Sequence, residues 1–524
     1  MSSVTRAAGP HRGWSLIRNF GGTPWLRGAG LIAALTSAVF VMAYALWYTS
    51  SGLFPVFPGI QNDYVDLGQS FLSGELSLLE RPDPQLAELG NPYEYSQRKG
   101  IPFHWDASYY DGKYYLYWGP APALVSAALQ ALGGSPPSAS LLVDLAYIGL
   151  MGAAMALLFH LSQAFGAGSR LTVWVFILIA FFNLPMLFTI GQPRHYQTSI
   201  MYGQFFLLLG LLGVVRHTRN RGMLWLPLSG LAWGLAFASR YNLAISIAVY
   251  LVFAAFWLWR DRKAASFWGR LGLLMAPLAL CLLGLGLYNL ARFDDPLETG
   301  LTYQLTIPEL RQISYSQAYV PSGLYSYLLY PLTGSQTFPF IRSAHFRPAL
   351  LPQSLYVPPD RDFDQIIFGL IPTVPATWLL AITIPVLLAT HLGKSARPAR
   401  QTTGASPLLL FYVLAMAAAG QAAFLMVFFY VAERYLVDFF VPGVLCLAII
   451  VWRTHAALPS RCWQIAFWTV VLTLTLWTAA IGYFACFGVP VLVSLYYDPQ
   501  MIANLAAFWN HFFGALRFLL AGGR

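Results

Sequence analysis

A chain of 524 residues that is 57% hydrophobic and only 10% charged cannot be an ordinary soluble protein, in which charged residues make up about 25%. Its formal net charge of +10 is scattered as small basic clusters among apolar runs, which excludes a nucleic-acid-binding face and reads as membrane topology. The chain is an integral membrane protein.

Apolar runs of ~20 residues are long enough to cross a bilayer as helices. In chain order they stand near 28–49, 116–134, 138–163, 171–191, 197–215, 223–239, 242–259, 271–292, 365–391, 407–430, 434–452 and 463–486. The expected fold class is an all-α polytopic membrane protein with about 12 to 13 transmembrane helices, its ends good to a few residues. The first run is too long for a cleaved leader and carries Trp47 and Tyr48 as interfacial anchors, so it is read as a retained span. Cys281, Cys446, Cys462 and Cys486 have no paired spacing, so neither a disulfide framework nor a zinc site is expected.

Short loops rich in Lys and Arg stay cytoplasmic. Arg6, Arg12, Arg18 and Arg27 precede the first run, and the sign recurs in Arg216, Arg219 and Arg221, in RDRK (260–263), in Lys394, Arg397 and Arg400, and in Arg453 and Arg461. The acids are segregated from them: residues 51–115 hold nine and 294–364 hold seven of the 21 Asp and Glu. Both segments are expected to be extracytoplasmic loops on a single membrane domain spanning 1–524. Strict alternation would place 216–221 on the wrong side, so a half-spanning or re-entrant piece is expected between 116 and 215. Asn183, Pro185, Gly191 and Pro193 interrupt the fourth run and make it the candidate, because broken helices at membrane depth line cavities.

The first loop opens with NDYVDLGQSFLSG, which has Tyr64, Leu67 and Phe71 at helical spacing, Asn62 or Asp63 as N-cap and Gly74 as a stop. Asp63 thus stands where unpaired N–H groups favour a carboxylate, with Asp66 one turn on; a plain capping role is the competing reading. About forty residues later WDASYYDGKYYLYWGPAPALV (105–125) leads an aromatic, basic segment back to the membrane.

At these residues the chain resembles the GT-C superfamily of integral membrane glycosyltransferases, which includes protein O-mannosyltransferases and the aminoarabinose transferases of lipid A. The resemblance is carried by DYVDLGQSFLSGEL, DGKYYLYWGPAP, GLAFASRYNLAI (234–245), YNLARFDDPLETGLTYQL (288–305) and ERYLVDFFVP (433–442). It implies a GT-C-like fold and a polyprenyl-phosphate-linked sugar donor, with transfer to a glycan, lipid or protein acceptor on the extracytoplasmic side of a bacterial inner membrane. It implies Asp63 as catalytic base, with Asp66 beside it. A carboxylate within reach of an acceptor hydroxyl can take its proton as the bond to the sugar forms, and the phosphate left behind needs cations, best supplied by the guanidinium fork.

Arg240, Lys113 and Arg434 are the donor-phosphate candidates. The competing readings are an Arg that snorkels to headgroups and a Lys that anchors the interface. Tyr64, Arg194, His195 and Tyr196 are candidates to line the substrate cavity, His195 as ligand, proton carrier or hydrogen-bonded structure. Glu433 and Arg434, adjacent on a helix, are expected to point apart and need separate partners. Asp438 reads as a structural ion-pair partner; Asp144 has no visible one. In the second loop 319–348 is amphipathic and aromatic, suggesting an interfacial lid, and DRDFD (360–364) lacks calcium-loop spacing. No cofactor is expected. A metal held by Asp63 and Asp66 would follow the oligosaccharyltransferase branch, whereas most of the resembling families work without one. No nucleotide-binding or metalloprotease signature stands in context, and no soluble domain is expected beside the membrane body. The tail 487–524 reads as an interfacial helix pair or a short span. The other functional readings are a transporter or flippase of a lipid-linked substrate, for which no internal duplication is seen, and a non-catalytic scaffold.

Overall fold

The structure, a computed structural model, describes residues 24–165, 167–260, 267–306, 315–342, 346–364, 366–392, 406–488 and 498–520. Arg6, Arg12, Arg18, residues 261–263 of RDRK, Lys394, Arg397, Arg400, positions 343–345 of the expected lid and 489–497 of the tail lie outside the described residues.

Each apolar run contributes helix. The principal elements are α1 (Pro24–Thr49), α2 (Asp63–Leu72), the hairpin β1 (Ser108–Tyr110) and β2 (Lys113–Tyr115), α3 (Ala121–Gly133), α4 (Ala139–Ser162), α5 (Val173–Phe181), α6 (Leu184–Ile190), α7 (His195–Asn220), α8 (Trp225–Phe237), α9 (Ala244–Arg260) and α10 (Phe267–Phe293). After the second loop come α11 (Leu379–Leu392), α12 (Pro407–Val427), α13 (Val437–Ala457), α14 (Arg461–Ala485) and α15 (Pro499–Leu520).

Among the described residues eight helices are long and apolar enough to cross a membrane, or nine if the bent pair α5–α6 is one span. The runs at 116–134, 223–239 and 365–391 give only the shorter apolar helices Ala121–Gly133, Trp225–Phe237 and Pro375–Ala389. A helix of 13 residues, as in α3 and α8, is about 20 Å long against a hydrocarbon core of ~30 Å. Helix length alone therefore does not reach the twelve to thirteen full spans expected. The fourth run breaks with a 58° bend, where Asn183 caps α6 by accepting from Met186 N and Pro185 occupies its first turn. Proline has no N–H to continue α5, so it starts a new helix instead.

The interior helices are α7 and the span containing α13, whose apolar windows are 83% and 78% buried; α10, at 17%, lies at the periphery. α7 packs on α4 and α8, and α13 on α12. The aromatic α15, at 22 residues, is not among the helices both long and apolar enough to cross a membrane; its Trp509 Nε1 donates to Tyr483 Oη at 2.9 Å, holding it to α14.

The two acidic loops form one body. Ser108 pairs with Gln304 in antiparallel fashion, Asp106 N donates to Leu305 O at 3.0 Å, and Leu305 N returns a bond to Ala107 O at 2.9 Å. Ser108 Oγ donates to Gly300 O at 2.7 Å. Arg98, fully buried, donates to the carbonyls of Pro92 and Tyr93 in the first loop and of Thr306 in the second. Further along, β3 (Thr333–Gly334) and β4 (Ile341–Arg342) form a small hairpin within the expected lid, and β5 (Asp362–Phe363) pairs in parallel with β6 (Tyr430–Val431). That last pairing lays the end of the second loop against the segment that leads into α13.

Candidate functional site

Asn62, rather than Asp63, caps α2. Its backbone is extended and its side chain accepts from Tyr64 N at 2.9 Å. The amide of the same side chain donates to Pro193 O at 2.6 Å and to Thr198 Oγ1 at 2.9 Å, binding the start of α2 to the start of α7. α2 also lies close on α3, since a Cβ at Gly68 would stand 2.8 Å from Ser126 Oγ and 3.0 Å from Ala127 N. Only glycine permits that approach.

With the cap supplied by Asn62, the Asp63 carboxylate is turned to other partners. Oδ2 is 2.9 Å from His195 Nδ1, and Oδ1 is 3.2 Å from His104 Nε2. Each carboxylate oxygen thus has one imidazole nitrogen against it. His104 is itself braced: its Nδ1 is 2.6 Å from Glu80 Oε2, and its backbone N donates to Tyr114 Oη at 3.2 Å. The side chains run from half-exposed Glu80 (48% exposed) through His104 (12%) to Asp63 (6%).

The charges follow from these neighbours. Burial pushes the Asp63 carboxyl up, but His195 and His104 together outweigh it and hold the group far below the usual carboxylate range. Burial also opposes the His104 imidazolium, yet Asp63 and Glu80 raise its pKa to about 9. Asp66 differs: burial and then the nearby Asp63 charge raise its pKa, against a hydrogen bond from Gln61 and the charge of His104. The two acids singled out in sequence are thus unequal, with Asp63 the one held as an anion.

A second cluster adjoins the first through His195, whose ring centroid is 4.0 Å from that of Tyr196. The Arg434 guanidinium lies 4.8 Å from the Tyr196 ring and 5.3 Å from the Tyr435 ring. Arg240 lies 5.1 Å from the other side of this circuit, the same Tyr435 ring, and 5.3 Å from Trp118. Trp118 meets Tyr196 edge-on at 6.4 Å, which closes the ring of contacts. Each cation has an acid behind it. Arg240 donates twice to Asp438 Oδ2, at 3.1 and 2.7 Å, and Arg434 donates to Asp364, which β5–β6 pairing delivers. Arg240 Nη1 and Arg434 Nε remain buried without a hydrogen-bond partner.

The structure disperses some of the other candidates. Lys113 is half-buried on β2 with its Nζ 3.9 Å from Glu75 Oε2; by strand alternation it points away from Tyr114, the residue that touches His104. Arg194 is exposed at the start of α7. Tyr64 is fully buried and donates to Gly119 O at 3.2 Å. Asp144 accepts from Thr49 Oγ1 at 2.6 Å, joining α4 to α1. Glu433 and Arg434 do not point apart as expected on an α-helix. They lie on a 3₁₀ turn, with Oε1 and Nη1 3.8 Å apart.

Sequence reasoning passed over His104, Glu80, Asp106, Trp118, Tyr435 and Asp364. Asp106 has a left-handed backbone (φ +62°); burial raises its carboxyl pKa, while the charges of His195 and Arg434 oppose that rise. The signal was thin: a lone FHWD in an acidic loop names no partner, although Tyr435 sits inside the ERYLVDFFVP stretch. Among the described residues no group of three or more His, Cys, Asp or Glu is arranged to hold a metal ion.

An apolar groove of ≈ 490 Å³ lies beside this site, walled by Phe71, Leu76, Leu124, Leu235, Leu285 and Tyr288. Pro120 and Ala238, two residues from Trp118 and Arg240 respectively, also line it. The two segments meet tightly, Ala121 N donating to Ala238 O at 3.0 Å.

No protein-family model matches the chain, and no curated protein matches it. Among solved structures it is similar to the oligosaccharyltransferase of Archaeoglobus fulgidus. The apo form superposes with a TM-score of 0.42 at 10% identity over 89% of this chain and 57% of that one. The complex of that archaeal enzyme, AglB, with an inhibitory peptide and a dolichol-phosphate gives 0.42 at 12% identity over 88% and 56%. The form tethered to an acceptor peptide containing the NVT sequon gives 0.43 at 10% over 88% and 55%. The matched region thus covers little more than half of those chains.

Proposed function

We propose that this chain is a GT-C-type glycosyltransferase that moves a sugar from a polyprenyl-phosphate donor to an acceptor hydroxyl on the extracytoplasmic face, with Asp63 as general base. One observation carries the reading: a continuous set of side-chain contacts joins a buried, ionised carboxylate to two guanidinium groups that each retain an unspent N–H. The reaction needs those two functions side by side.

As the acceptor oxygen attacks the anomeric carbon, its proton passes to Asp63. The bond from that carbon to the phosphate oxygen breaks, and its electron pair stays with the lipid phosphate. Arg240 and Arg434 oppose the charge that develops there. Their pairing with Asp438 and Asp364 fixes both forks before substrate arrives, so little reorganisation is required. The groove beside Trp118 and Arg240 has the apolar walls that a prenyl chain requires, at ~0.8 kcal/mol for each CH₂ removed from water.

The test is transfer from a panel of labelled polyprenyl-phosphate sugars in membranes containing the protein. Asp63→Asn is expected to lower turnover by about 10²- to 10⁴-fold while donor still binds. Arg240→Lys keeps a charge against Asp438 but loses the Nη1 donor, and is expected to weaken donor binding. Full activity in Asp63→Asn would overturn the base assignment, and counterflow of intact donor without transfer would favour a transporter.

A further inference from the structure

We propose that His104, braced by Glu80, is the positioning residue that fixes the Asp63 carboxylate for catalysis. This rests on the reading of Asp63 as the base. His104 reaches Asp63 from a loop, yet three contacts anchor it: Asp63 Oδ1 at 3.2 Å, Glu80 Oε2 at 2.6 Å and Tyr114 Oη at 3.2 Å from its backbone N. It is held between two carboxylates, whereas His195 contacts Asp63 on one side and its buried Nε2 has no hydrogen-bond partner.

Physical necessity points the same way. A carboxylate whose side chain is only 6% exposed cannot stay charged without compensation, because burial alone would return it to the neutral acid. A neutral Asp63 could not accept a proton. His195 and His104 share that compensation, and His104, itself fixed by Glu80 and Tyr114, also sets the direction of the carboxylate through Oδ1. Glu80, half-exposed, keeps His104 protonated from the solvent side.

The titratable groups facing this pair are Glu80, Asp66 and Tyr114 from the first loop and His195 from α7. Beyond them Asp106 faces His195, and Arg434 faces Asp106.

The experiment is a pH titration by infrared difference spectroscopy on the full chain in lipid, following the protonated-carboxyl band of Asp63 identified by its loss in Asp63→Asn. His104→Ala is expected to bring that band in at a pH higher by about one unit or more, since a unit is a tenfold change in proton affinity. Glu80→Gln, at a half-exposed position, is expected to move it in the same direction by less, and added imidazole to restore the His104→Ala titration. An unmoved band in folded His104→Ala and Glu80→Gln proteins would overturn the proposal. Transfer rates give a second reading: the acid limb of the His104→Ala profile should rise in pH, with activity recovering at alkaline pH. An equal loss at every pH would mark a merely structural residue and overturn it. Because the infrared band reports Asp63 itself, a failure of the base assignment is separate; that shows as full transfer by Asp63→Asn.

Discussion

The chain Glu80–His104–Asp63–His195 alternates acid and base from half-exposed to buried, and its alternation sets a pH dependence of stability. The His104 pKa is raised from 6.5 to about 9, so its contribution is complete below about 6.5 and is lost as pH rises through about 9. Asp63 is the opposite case: its depressed pKa contributes above the ordinary carboxylate value of about 3.9 and is lost only as pH falls toward the depressed one. Thermal unfolding in detergent is therefore expected to show stability falling by on the order of 1–2 kcal/mol between pH 6.5 and 10, discounted for partial exposure. The fall should be absent in His104→Ala. A flat wild-type curve would contradict the arrangement. The same accounting explains why Arg240→Lys is the variant of choice. Asp438 is 1% exposed, and stripping the cation from such a pair costs about 3–5 kcal/mol, which would confuse lost binding with lost fold.

At the scale of elements, the position of Asp63 depends on how α2 is held. Asn62 both caps the helix and bonds to Pro193 and Thr198, so Asn62→Ala removes a cap worth about 0.5–2 kcal/mol and the link to α7 together. It is expected to cut transfer by at least about tenfold, as small displacements of a base do, while leaving donor binding near normal. An Asn62→Ala protein of wild-type rate would show that the link is dispensable. How far the elements could be read in advance differs with the physics. Hydropathy found the eight helices long and apolar enough to cross a membrane, because burial in lipid writes itself into composition, whereas the tail, read only as a helix pair or a short span, holds the single described helix α15. Hydropathy misjudged the lengths at 116–134 and 365–391, where the apolar run includes residues that are not α-helical: Leu116–Gly119 precede α3, and Val374, followed by a 3₁₀ turn at Pro375, interrupts the second. Apolarity does not distinguish backbone that crosses from backbone that turns. The acid-bearing α2 was legible from its cap and its Gly74 stop, yet the assignment of the cap to Asn62 was not, since that choice is made by Pro193 and Thr198, over a hundred residues away. His104, Trp118 and Asp364 were hidden for the same reason: their partners are set by tertiary contacts that a local pattern does not encode. Lys113, plausible by position, is turned outward by the pleat of β2.

For the molecule as a whole, the segregation of acids into 51–115 and 294–364, away from the basic clusters, predicts an extracytoplasmic face for the acidic loops. Cys462 is exposed and follows Arg461, while Glu94 lies in the first loop. A membrane-impermeant maleimide should label Cys462 only from the cytoplasmic side, with Cys462→Ser as control, and a Glu94→Cys variant only from the other. Labelling of both from one side would overturn the orientation.

The hydrogen bonds between Asp106–Ser108 and Gly300–Leu305, with Arg98 reaching Thr306, impose an order on biogenesis. Asp63 and His104 leave the ribosome early, but the segment that fixes their loop is not made until the helices α3 to α10 have been synthesised. The nascent chain therefore carries Asp63 and His104 long before it carries the second loop that holds their own loop in place, and a partly inserted intermediate that stops short of it has the residues without their setting.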